Sequence, residues 1–76
     1  MRVVKEIPHP DCKITVFSWN MKYLIKLELG DFEQTFKVSE LDVLEQEIDE
    51  ILSEEFVNQA IERFADMQNS LRQSMP

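Results

Sequence analysis

His9, Asp11 and Cys12 fall within four residues, and their side chains are types that bind metals or move protons. A structural zinc site closes with four ligands and a catalytic one with three plus water, in paired spacings. This chain has one histidine and one cysteine in all. No such set can be assembled, and Pro8-His9-Pro10-Asp11 reads as a turn instead, with proline fixing φ and removing a donor. The acidic run from Glu40 to Glu55 invites a calcium reading. An EF-hand loop needs alternate oxygen ligands, a glycine at its sixth position and a bidentate glutamate at its twelfth. Glu45-Gln46-Glu47-Ile48-Asp49-Glu50 has no glycine and follows a helical apolar period. There is no glycine-rich phosphate loop, no Ser-His-Asp set, no usable Cys-His pair and no carboxylate pair with one member desolvated. The sequence therefore predicts no catalytic residue, no metal site and no cofactor, and the chain reads as a protein that is not an enzyme.

Recognition is the chemistry that remains. Phe17, Trp19 and Leu24, surrounded by Lys22, Lys26 and Lys37, are expected on one face of a sheet, with Lys13 at its margin. Burying a large apolar side chain is worth about 1.5–3 kcal/mol, so three of them left wet imply an occupant. A protein surface, either a second copy or another partner, is the first candidate. Single-stranded nucleic acid, which favours aromatics among cations, is the second. The third is the chain itself, through its first strand or its tail.

These residues are positioned by the stretch from Cys12 to Val38, which reads as two successive hairpins with turns at Asn20-Met21 and Gly30-Asp31. The resulting pairs are Cys12/Leu29, Ile14/Leu27, Val16/Ile25 and Ser18/Tyr23, then Leu29/Phe32, Leu27/Gln34, Ile25/Phe36 and Tyr23/Val38. Because side chains alternate with period two, all of these share one face, and the aromatic and lysine set takes the other. A slip of one residue would mix the two sets, so their clean separation supports the register. Strands are expected near 12–19, 22–29 and 32–38. Arg2 to Ile7, rich in β-branched residues, is a fourth, expected antiparallel to the second with Ile7 near Cys12. Met21 is a poor turn residue beside Gly30, the chain's only glycine, and predicts a strained or longer first turn.

Residues 39–76 read as helical. Ser39 is a candidate N-cap, and Leu41, Leu44, Ile48 and Ile51 or Leu52 recur at three- and four-residue spacing. Ser53-Glu54-Glu55 is a second start signal, after which Phe56, Ala60, Ile61, Phe64, Met67 and Leu71 continue the stripe. The expectation is a short helix near 40–51, a break at 52–54 and a longer helix near 54–72. Leu44, Ile48, Phe56, Ile61, Phe64 and Leu71 are expected to pack on the sheet or on a partner chain. The fold class is thus α+β: one domain over 1–76, with an antiparallel three- to four-stranded meander in 1–38 and C-terminal helices in 39–76 packed on one face.

Net charge is -7, and the two halves differ. Residues 1–38 are nearly balanced, whereas residues 39–76 carry the acids from Glu40 to Asp66 against only Arg63 and Arg72. A domain of 76 residues has a thin core, and a single core below about 70–80 residues rarely supplies more than about 3–5 kcal/mol. One cysteine allows no internal disulfide, which leaves oligomerisation, and a homodimer is expected. No apolar run reaches the length of a membrane span and no secretory leader is evident, so no membrane role is expected. Together with the lone thiol, this fits the cytoplasm.

Two resemblances add to this reading. Lys13-Ile-Thr-Val-Phe-Ser-Trp-Asn20 and Glu33-Gln-Thr-Phe-Lys-Val-Ser-Glu40 resemble short uncharacterised bacterial proteins of the Bacteroidetes type, over most of the chain. That group implies no activity and no functional residues. The order of four strands followed by helix is similar to the Whirly-type single-strand-binding regulators, which implies an oligomer that binds nucleic acid on a sheet surface. The acidic helical half departs from that pattern, since polyanion binding rests on cationic neutralisation. The function expected from the sequence is a small interaction or adaptor protein, homodimeric and non-catalytic, with single-stranded nucleic-acid binding as the alternative.

Overall fold

The computed structural model describes all residues, Met1–Pro76. Strands β1 (Arg2–Ile7), β2 (Lys13–Trp19), β3 (Lys22–Leu29) and β4 (Phe32–Ser39) form one antiparallel sheet in the order β1-β2-β3-β4. A single 3-10 turn (Glu45–Glu47) leads into α1 (Ile48–Ile51) and then α2 (Glu54–Ser74). The class is α+β, a meander with its helices on one face.

Turn chemistry and alternation set the register. Asn20 and Met21 both have positive φ, 55° and 62°, as a type I′ turn demands. The turn is therefore strained at Met21 but no longer than two residues. At the second turn Gly30 has φ 61° and Asp31 stays outside the left-handed region, the pattern of a type II′ turn. Val16 pairs with Ile25 and Ile25 with Phe36, while Lys26 lies between Thr15 and Thr35. Cys12, expected opposite Leu29, falls just outside the ladder, whose last β2–β3 pair is Lys13 with Glu28. Ile7 faces Ile14 rather than Cys12.

The first strand carries a bulge between Val3 and Lys5, and an extra residue there re-aims the side chains that follow. Val4 thereby packs on the core, while Lys5 reaches Asp49 of α1 at 3.4 Å.

The core lies between the sheet and the helices: Ile14, Val16, Ile25 and Leu27 from the strands, Ile48, Val57, Ala60 and Phe64 from the helices, with Cys12 at its edge. Ser53 caps α2, its side chain accepting from the Phe56 N–H, and Glu54 and Glu55 suit the positive end of the helix dipole. Phe56 meets the edge of Phe36 with ring centroids 5.2 Å apart. Gln34 tethers the same helix, donating to the Ala60 carbonyl at 2.8 Å and accepting from Arg63 Nε at 2.9 Å.

One expectation for the helical half is corrected. Ser39 ends β4 instead of capping a helix; its hydroxyl accepts from the Leu41 N–H inside a tight turn. Helical structure begins only at Glu45, where the Glu47 carboxylate accepts from the Leu44 N–H at 2.7 Å. Leu41 is accordingly 82% exposed. Of the six apolar residues expected to pack, Ile48 and Phe64 are buried and Phe56 and Ile61 pack against them. Leu44 and Leu71 remain 59% and 51% exposed.

Candidate functional site

The helix-free face of the sheet holds the predicted recognition residues. Phe17 stands directly opposite Leu24, and Leu24 opposite Lys37, with Val3 of β1 beside Phe17. Trp19 pairs with Lys22 one step along, near the Asn20-Met21 turn. The six residues singled out in the sequence are thus brought onto one surface, but they are not equivalent.

Leu24 is only 7% exposed, which corrects the expectation that three apolar side chains are left wet. Strand neighbours on a pleated face stand about 4.5–5.5 Å apart, close enough for Phe17 and a lysine stem to cover the leucine between them. Leu24 is the floor of the surface, bordering a cleft of about 200 Å³ with Met1, Phe17, Lys26, Glu33 and Thr35. Phe17 is half-buried, and Trp19 is 48% exposed.

Lys26 is committed elsewhere. Glu28 and Glu33 stand directly opposite each other, a repulsive arrangement, and Lys26 lies 3.9 Å from the first and 3.1 Å from the second. The hydrogen bond to Glu33, then the charge of Glu28, hold its pKa above the ordinary lysine value. Lys22 and Lys37 make no ion pair, so they supply the available positive charge. Val3 and Met1, both exposed, also join this surface. The β-branched pair Val3-Val4 signalled a strand, but only its bulge decides which of the two faces outward.

The other constellations resolve into structural roles. His9 Nδ1 accepts from the Asp11 N–H at 3.1 Å and lies 3.9 Å from Cys12 Sγ, closing the two-proline turn. Burial, and secondly the charge of Asp11, push the Cys12 thiol up, opposite to the shift that makes a nucleophile. In the acidic run Glu40 accepts from the Ser18 hydroxyl at 2.7 Å, Glu47 caps and Asp49 pairs with Lys5. No three metal-ligating side chains come together, and no helix is long and apolar enough to cross a membrane. Comparison with protein-family models, curated proteins and solved structures finds no match to this chain.

Proposed function

We propose that this chain is a small, non-catalytic interaction protein that acts as a homodimer and engages an acidic protein partner through the helix-free face. The observation that carries the reading is Trp19, half exposed beside Lys22, with Lys37 on the same face two strands away, both lysines free of ion pairs, around the buried Leu24. Aromatic anchors with a charged rim are the usual make-up of binding hot spots. The single free thiol, Cys12, supports a reducing compartment such as the cytoplasm.

Single-stranded nucleic acid is the alternative occupant, favoured by the same exposed indole next to Lys22, with Lys37 on the same face, and opposed by the net charge of -7. Trp19 emission reports both. Titration with an acidic peptide should shift it, and Lys22→Glu, which keeps the indole as the reporter, should weaken binding at least about tenfold, as loss of a hot spot does. A response to oligothymidylate that falls steeply with salt would establish the alternative. No response to either ligand rejects this face as a binding surface.

A further inference from the structure

The sheet has two edges, and they are built differently. The edge at β1 is blunted by its bulge and by Arg2, Lys5 and Glu6, the usual protection against pairing with another chain. The edge at β4 has eight residues, no proline and no bulge. Leu29 and Phe32 close a two-residue turn, so they are a hydrogen-bonded pair, and such pairs alternate along an antiparallel ladder. Phe32, Gln34, Phe36 and Val38 therefore spend their backbone groups on β3. The Glu40 N–H continues the series, donating to the Met21 carbonyl at 3.0 Å. Glu33, Thr35 and Lys37 point theirs away from the sheet.

We infer that β4 pairs antiparallel with β4 of a second copy, about a two-fold axis at Thr35, making one continuous eight-stranded sheet. The inference rests on the homodimer reading and specifies its interface. The register follows from charge. With the axis at Thr35, Glu33 of each copy faces Lys37 of the other, twice over, while the outward N–H and C=O groups of Glu33, Thr35 and Lys37 all find mates. Moving the axis to Gln34 or Phe36 leaves Glu33 opposite Thr35 or Ser39. Moving it to Glu33 or Lys37 sets like charges against each other, which is unfavourable on a sheet. Thr35 alone makes the edge complementary to itself.

The helix side agrees. A two-fold axis normal to the sheet puts both copies of α2 on the same face. Between β4 and α2 runs an open groove of about 520 Å³ lined by Phe32, Gln34, Arg63, Met67 and Leu71. In the paired sheet each groove meets the Phe36–Val38 end of the second copy's β4, with Phe32 opposite Val38 and Gln34 opposite Phe36 of that copy. The two Trp19 surfaces point the same way and stay open, each keeping Lys22 as its free cation, while Lys37 is taken by Glu33 of the second copy.

The decisive experiment uses charge complementation. Lys37→Glu sets acid against acid across the axis and Glu33→Lys sets base against base, so each variant alone should dimerise at least about tenfold more weakly than the wild type. An equimolar mixture restores both attractive pairs and should recover a species of twice the 9.0 kDa chain mass by sedimentation equilibrium. Circular dichroism checks that each variant folds. Should Glu33→Lys fail to fold beside Lys26, the wild type still decides the matter. The amides of Glu33, Thr35 and Lys37, which have no acceptor within one chain, should gain protection from hydrogen exchange as concentration rises. A wild-type dimer in which these amides exchange freely, or which either substitution leaves unchanged, overturns the edge pairing and keeps the homodimer. A wild type that stays monomeric throughout overturns both.

Discussion

Leu24 lies on the helix-free face and is nonetheless dry, so facing away from the helices and being wet are separate properties in a sheet this narrow. Its directly opposed neighbours are Phe17 on one side and Lys37 on the other, side chains long enough to reach over it. Leu24→Ala should therefore behave as a core truncation and cost about 2–3 kcal/mol in urea denaturation, whereas Trp19→Ser should stay near the ±0.5 kcal/mol typical of surface sites. Equal costs at the two positions would mean that the face has no dry floor. The alternation of strand residues showed which side chains share this face, but not how closely they cover one another. That depends on side-chain length across the ladder, which spacing along one strand does not report. Cys12 makes a prediction about pH. Its folded pKa is raised by burial and by Asp11, so the folded chain holds the thiol proton more tightly than the unfolded one. The associated stability is complete below the ordinary thiol pKa and is lost as pH rises through the folded value. Denaturation midpoints should fall with alkalinity above that ordinary value, and Cys12→Ala should remove that part of the slope. Alkylation of the native thiol should be slower than that of the unfolded chain.

At the scale of elements, the hairpins hold their register through their turns, and the Asn20-Met21 turn is the weaker of the two. A left-handed non-glycine residue carries about 1–2 kcal/mol of strain, and glycine returns about 0.5–1 kcal/mol as backbone entropy. Met21→Gly should thus stabilise the fold by about 0–1.5 kcal/mol, read as a higher urea midpoint with unchanged slope. A loss of stability would show that Met21 makes contacts that offset its strain. This hairpin unit was readable in the sequence because period-two alternation and turn residues agree over twenty-seven positions, Cys12 to Val38. The segment from Ser39 to Leu44 was not. Serine serves equally as a helix cap and as the acceptor in a short turn, and Leu41 and Leu44 match helical spacing without taking part in a helix. Tertiary pairing decided it: the Glu40 N–H extends the β3–β4 ladder onto Met21, and its carboxylate is held by Ser18. The tether from Gln34 to α2 was also invisible, because a glutamine on an apolar face finds its partners only once the helix is laid across it. Gln34→Ala removes both hydrogen bonds to α2 and should cost about 2 kcal/mol, at about 1 kcal/mol or more for each, with fold retained by circular dichroism.

On the scale of the whole molecule, the exposed apolar surface is divided between the candidate binding face, with Met1, Val3 and Trp19, and the C-terminal half, with Leu41, Leu44, Leu71 and Met75. The 21 residues of α2 span about 31 Å at 1.5 Å each, against about 27 Å for the eight-residue β4 at 3.4 Å each. The difference is less than one helical turn of about 5.4 Å, so only the end of α2 extends past the strand. The strand order has a consequence in time. Each strand pairs only with its neighbours in sequence, so the sheet closes through short loops, and short closures are entropically light and fast. The helix meets the sheet only through contacts between distant parts of the chain, such as Gln34 with Ala60. A folding transition state made of the two central hairpins, with α2 docking afterwards, is the order this topology favours. Ile25→Ala should then slow refolding, while Val57→Ala leaves the refolding rate nearly unchanged and accelerates unfolding. During the interval before docking, the sheet's apolar face is open to any helix of the same sequence, so at high concentration a refolding chain can take the α2 of its neighbour in place of its own.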